Sequence, residues 1–241
     1  MPVSNLQLVI AFTVSVFAAV VQGTIGLGFG VVSVPLLTLV NPVLAPVPQL
    51  LVVFPMTLLM AWRERHDIDR RGIPWIIAGR VPGSVIGVGL LVVATTRAID
   101  ALIAAAVLIA IIVIAAGHSV PRTPGNLFGT GVLSGIMALV ASIGGPPVAL
   151  LYKDSDGAET RSSLAVIFAI GITITATTRL LAGKITADDL ALAAFLFPAM
   201  LIGLAMSSRL TSRFEGVWMR RGILTVSTVA AVSLLIRSMV G

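Results

Sequence analysis

Apolar residues run along this chain in long blocks separated by short polar stretches, without the alternation of strands or the single apolar stripe of surface helices. In the first half the blocks read Leu6 to Val40, Val47 to Trp62, Ile73 to Ala94 and Ala101 to Gly117. In the second half they read Leu127 to Tyr152, Ser162 to Leu181, Leu190 to Ser207 and Val217 to Val240. A helix of roughly 20 residues crosses a hydrocarbon core about 30 Å thick. The pattern predicts an all-α polytopic integral membrane protein. Met1-Pro2-Val3-Ser4-Asn5 has neither a basic region nor a small-residue cleavage site, and reads as the start of the first helix.

Two stretches interrupt this pattern in matching ways. The first is Gln22-Gly23-Thr24-Ile25-Gly26-Leu27-Gly28-Phe29-Gly30, leading to Pro35; the second is Ser134-Gly135, leading through Ala141-Ser142-Ile143-Gly144-Gly145-Pro146 to Pro147. Gly23 to Pro35 and Gly135 to Pro147 are equal steps, at an offset of 112 residues. Pro82 with Gly87 repeats as Pro198 with Gly203 at an offset of 116. The chain therefore reads as two homologous four-segment repeats, 1–117 and 118–241, forming one membrane domain. The first segment of each is broken at a Gly/Pro-rich centre. Unsatisfied amides in hydrocarbon cost several kcal/mol each, so broken backbone at that depth must line a protein-enclosed cavity. Interrupted segments at matching positions of two halves point to a transporter's binding site.

Charge discriminates between two topologies. With all eight segments crossing, the sixteen basic residues divide almost evenly between the two sides. With the first segment of each repeat entering and returning on one side, each repeat has three crossings and the copies are inverted. Arg97, Arg179, Lys184 and Arg237 then face one side and the other twelve basic residues face the cytoplasm. Length favours this arrangement, since Leu8 to Gln22 makes about 22 Å of helix, short for a crossing.

The interruptions carry the candidate chemistry. Gly26, Gly28 and Gly30 alternate with Leu27 and Phe29, presenting bare backbone on one face and apolar anchors on the other. Gly144-Gly145-Pro146-Pro147 reads as a loop followed by the start of a short half-helix, whose free amides and dipole suit an anion. Gln22, Thr24, Ser33 and Ser142 are candidate polar donors. The predicted substrate site thus comprises Gln22, Gly23, Thr24, Gly26, Gly28, Gly30, Pro35, Ser142, Gly144, Gly145, Pro146 and Pro147. Small residues also let membrane helices pack closely, and Gly83 with Gly87 and Gly131 with Gly135 are read that way. Arg80 is the one cation well inside a span. It either guides anions or snorkels to the headgroups, and its nearness to the helix end favours snorkelling. Arg179 and Arg237 read as interface markers.

Composition narrows the function further. Apolar residues make up 57% of the chain and charged ones 11%, which excludes a soluble domain. The net charge of +6 resides in short loops flanking spans, the ordinary topology signal and no nucleic-acid surface. There is no cysteine, and His66 and His118 stand in loops without partners, so no metal site or cofactor is expected. All ten acidic residues fall in loops or at span ends, so neither proton relay nor an intramembrane enzyme has its groups. An inside-negative potential favours the exit of an anion by about 2.3 kcal/mol per charge per 100 mV, which favours export.

The run from Gln22 to Leu37 resembles the first signature of the TauE/SafE family of sulfite and organosulfonate exporters. Gly135 to Tyr152 is similar to its second signature, with Ala141-Ser142 where many members carry glycines. The resemblance covers essentially the whole chain. It implies an inner-membrane permease, in bacteria, exporting a small anion such as sulfite, sulfoacetate or a related organosulfonate. An anion channel, or an importer of another small sulfur compound, is the alternative. The expected partners are that anion and the bilayer, with a homo-oligomer left open.

Overall fold

The computed structural model describes residues 3–63, 65, 67–116 and 120–210, together with 225, 228–230, 232, 233, 235 and 236. Glu64, His66, His118, Arg213, Glu215, Arg220, Arg221, Arg237, the expected boundary between the two halves and most of the last expected span lie outside the described residues. Nine α-helices are described: α1 (Asn5–Ile25), α2 (Phe29–Val40), α3 (Val47–Arg63), α4 (Ile73–Val93), α5 (Thr96–Ala116), α6 (Pro124–Ala141), α7 (Gly145–Leu151), α8 (Gly157–Leu181) and α9 (Ala187–Leu210). There is no strand among them. Six helical stretches among the described residues, those of α1, α3, α4, α6, α8 and α9, are long and apolar enough to cross a membrane.

Local chemistry sets the helix ends. Ser4 caps α1 through a reciprocal pair of bonds with Gln7, satisfying two amides that the first turn leaves free. Thr123 caps α6 by accepting from Asn126 N, with Pro124 in the first turn, where the missing amide costs nothing. Helix α1 continues through Gln22 and Gly23 to Ile25, 21 residues or about 31 Å. This corrects the estimate that the first arm is too short to cross. Gly23 does not end the helix, and its missing side chain makes room for Leu204 and Ser207 of α9.

The chain reverses twice. Gln7 Nε2, near the start of α1, donates to Val40 O at the end of α2, and Asn41 Nδ2 donates to Gln7 Oε1, both at 3.3 Å. In the second half, Arg122 Nε, just ahead of α6, donates to Leu151 O at the end of α7 at 2.9 Å. Arg122 also lies over the Tyr152 ring at 4.4 Å and pairs with Glu159 at 2.7 Å and Asp69 at 3.4 Å. These ties fasten the base of α6 and α7 to the α3–α4 loop and the start of α8. Burial opposes charge on Asp69, but bonds from the Gly72 amide, the Tyr152 hydroxyl and the Arg71 amide, with the Arg122 charge, outweigh it and hold its carboxyl below the usual range.

Two helix pairs carry the bundle, α4 on α6 and α1 on α9. On α4, Gly79 and Gly83 face the carbonyls of Phe128 and Val132; on α6, Gly131 and Gly135 face those of Ile76 and Arg80. A β-carbon at any of these four would collide with backbone. The contacts advance in step along both helices, so α4 and α6 run parallel. Gly203 of α9 meets Val16 and Ala19 of α1, and Gly23 of α1 meets Ser207, so this pair is parallel too. With little hydrophobic drive between helices in lipid, such close backbone approach supplies the packing that holds the bundle.

Gly83→Val therefore breaks the α4–α6 contact, whereas Gly129→Val fills open space on the same α6. Fluorescence-detected size exclusion should show aggregation and a lost thermal transition for the first. The second should elute as the parent does.

Candidate functional site

Glycine geometry makes the first interruption. Helix α1 ends at Gly26, φ 85°, and α2 is preceded by Gly28, φ 123°. Side-chain-bearing residues rarely adopt either angle. A β-carbon on Gly28 would also lie 2.8 Å from Val21 Cγ1. Gln22 spans the gap, its Nε2 donating to Gly26 O and its Oε1 accepting from Phe29 N, both at 3.0 Å. One buried side chain thus satisfies a carbonyl left over by α1 and an amide left over by α2.

A different device makes the second interruption. Helix α6 ends at Ser142, φ 56°, the one side-chain-bearing residue at positive φ among the described residues. Its Oγ donates to Pro46 O, just ahead of α3, at 3.0 Å. Arg179 of α8 caps the same helix end, donating from Nη2 to Leu139 O and to Val140 O. A cation there complements the negative end of the α6 dipole. Helix α7 has seven residues, and Pro146 and Pro147 carry no amide hydrogen, so its first turn offers few donors.

The two interruptions touch through backbone. A β-carbon on Gly30 would sit 2.5 Å from Ser142 O, and one on Gly145 3.7 Å from Leu27 Cβ. Between them is a cavity of about 50 Å³, room for a handful of water-sized atoms. Gln22, Gly28, Gly30, Ser142, Gly144, Gly145 and Pro146 line it from the breaks, Leu50, Val53 and Thr57 from α3, Phe168 and Ile172 from α8, and Arg80 from α4.

Arg80 supplies the charge. It is 1% exposed, which corrects the snorkelling expectation. Helices α6 and α8 pack against α4 and enclose the Arg80 side chain. Nη1 donates to Ser134 Oγ at 2.9 Å, and Ser134 Oγ donates to Gly144 O at 2.5 Å, so cation and second interruption are joined by one hydroxyl. The guanidinium rests on Gly171 of α8, where any β-carbon would collide with it. Nε has no hydrogen-bond partner, and no carboxylate among the described residues pairs with the group.

The sequence pattern of the family described as Sulfite exporter TauE/SafE matches residues 11–234. The chain belongs to the TauE/SafE family. No curated protein and no solved structure matches it. This is a transporter family, and with six helices among the described residues able to span a bilayer this TauE/SafE protein is an integral membrane protein.

In this TauE/SafE member the predicted residues divide into two groups. Gln22, Gly28, Gly30, Arg80, Ser142, Gly144, Gly145 and Pro146 line the cavity. Gly23 packs on α9, and Gly26 shapes the turn beside Arg161. Thr24 Oγ1 donates to the Val20 and Val21 carbonyls and Ser33 Oγ to Phe29 O, so both hydroxyls are spent within their own helices. Pro35 is buried inside α2, one turn beyond Val31, whose carbonyl it leaves without a helical donor. Pro147 is buried in the first turn of α7. Arg179 is 3% exposed at the α6 terminus, a correction to its reading as an interface marker. Sequence reasoning did not single out Thr57, Phe168 or Gly171. Gly171 has a signal, a lone glycine in the middle of a span, whereas Thr57 and Phe168 look like ordinary span residues.

Two substitutions probe this geometry. Gly28→Val forces a β-branched residue to φ 123° and should lower flux more than ten-fold in proteoliposomes while the protein stays monodisperse. Gly171→Ala crowds the Arg80 guanidinium and should lower flux about ten-fold, or about 1.4 kcal/mol, in the same proteoliposomes.

Proposed function

We propose that this protein exports a small sulfur-containing anion, sulfite or a compact organosulfonate, across the bacterial inner membrane through the cavity between the two interruptions. The observation that carries the reading is Arg80, a buried guanidinium with an unsatisfied Nε and no carboxylate partner, on the wall of that cavity. A buried cation without a counter-charge costs several kcal/mol, which a bound anion removes. The amides of Gly30 and Val31, in the first turn of α2, have no acceptor within their own helix and are suitable second contacts. Leu50, Val53, Phe168 and Ile172 supply apolar walls suited to an anion stripped of water.

Two re-entrant hairpins in inverted repeats fit this role. The bonds of Gln7 to Val40 and of Arg122 to Leu151 support hairpins that return to the side they enter. The pairing of α4 with α6 and of α1 with α9 is reciprocal: the fourth helix of each half lies on the first helix of the other. A pseudo-two-fold relation between halves produces that exchange. Export follows from sign, since no carboxylate among the described lining residues is there to carry a proton and an inside-negative potential drives net movement of an anion outward.

Purified protein tests the reading. Sulfite and methanesulfonate should raise its melting temperature by mass action, and Arg80→Gln should abolish the shift. In proteoliposomes, 100 mV with the lumen negative biases a monovalent anion by about 2.3 kcal/mol, roughly fifty-fold in the gradient. Net methanesulfonate efflux, into an exterior without the anion, should follow this potential. Efflux that follows a pH gradient and ignores the potential would contradict the proposal.

A further inference from the structure

Building on the anion site just proposed, we infer that the carrier works as an anion exchanger: it turns over readily only with an anion against Arg80 in both directions. The argument rests on fixed charge. The Arg80 side chain is 1% exposed, held by Ser134 Oγ at 2.9 Å and seated on Gly171. No described carboxylate pairs with it. Arginine keeps its proton in proteins, so this group cannot discard its charge as a buried lysine or histidine does.

The empty site therefore carries one full positive charge, and the site holding a monovalent anion carries none. Nothing on the cavity wall replaces the anion. Gln22 is committed at both ends to the first interruption, and the Ser134 hydroxyl donates to Gly144 O. The remaining wall is largely apolar. Passing from one open side to the other takes the site through a closed, low-dielectric state, where an unpaired charge is strongly disfavoured. The loaded site crosses that state as a neutral pair; the empty one crosses it as a bare cation. Return with a second anion is then the fast route, and export of one anion is tied to entry of another.

Charge also fixes the voltage dependence. Exchange of monovalent anions moves no net charge at the site and is insensitive to potential. Net efflux requires the empty, positive site to return, so its rate responds to potential.

The test uses full-length protein in proteoliposomes loaded with labelled methanesulfonate, a strong-acid monoanion, at zero potential. External unlabelled methanesulfonate should accelerate efflux at least ten-fold over an exterior without it. A potential of 100 mV should leave that exchange rate unchanged while altering net efflux. In Arg80→Lys, whose amine can release its proton when the site is empty, the acceleration should shrink, and in Arg80→Gln it should fall towards one-fold. Equal efflux with and without external methanesulfonate, in protein that methanesulfonate still stabilises thermally, would overturn exchange and leave the anion site standing. Absence of both efflux and thermal stabilisation would overturn the anion site and exchange with it.

Discussion

A permanent cation enclosed among helices, with no carboxylate partner among the described residues, is the constraint from which the rest of this site follows. The Arg80 guanidinium cannot titrate away, and at 1% exposure it is not served by solvent. What the protein does supply is one hydroxyl, Ser134, and the backbone around Gly144 and Gly171. Such incomplete satisfaction costs several kcal/mol and is tolerated where a ligand completes the set. The second interruption is built around the cation: Ser134 joins Arg80 to Gly144 O, and α7 turns away immediately after.

Glycine plays two physically different parts here. At the α4–α6 crossing, Gly79, Gly83, Gly131 and Gly135 act by absence, letting carbonyls of the facing helix approach where a methyl group would collide. At Gly26 and Gly28 it acts through conformation, since φ values of 85° and 123° end one helix and begin the next. The two roles depend on each other. Close packing of α4 on α6 fixes where the Arg80 side chain emerges, and the open turn at Gly26–Gly28 leaves space for the cavity it faces. The bases of both helical reversals are tied by side-chain bonds, at Gln7 and at Arg122, so the backbone of each interruption is held at both ends.

Much of this is legible in the sequence, and the exceptions have physical causes. Long apolar blocks delimit α3 and α4 almost to the residue, because hydrocarbon thickness imposes one length on every span. Gly26-x-Gly28 and Gly144-Gly145-Pro146-Pro147 mark the interruptions, the first because few other residues tolerate the φ values at Gly26 and Gly28, the second because prolines belong in the first turn of a new helix. The end of α1 is not legible. Gly23 has the same composition signal as Gly26, yet it lies inside α1, where its missing side chain admits α9. Arg80 and Arg179 are misread for a related reason. Snorkelling is a local argument, whereas the Ser134 hydroxyl and the Leu139 and Val140 carbonyls that hold them lie 39 to 54 residues away along the chain. Ser142 at φ 56° is also invisible locally, because its conformation is set by packing against Gly30 and by the Pro46 carbonyl.

The most direct measurement of the central claim is the position of a bound anion carrying its own scattering signal. Selenite, the selenium counterpart of sulfite, marks itself by anomalous scattering in crystals of the protein. The account predicts a selenium peak between the Arg80 guanidinium and the Gly30 and Gly145 backbone, close enough for an oxyanion to accept from Arg80 Nε. A peak found instead at the exposed arginines of the α3–α4 loop, with the cavity beside Arg80 empty at saturating selenite, would contradict it.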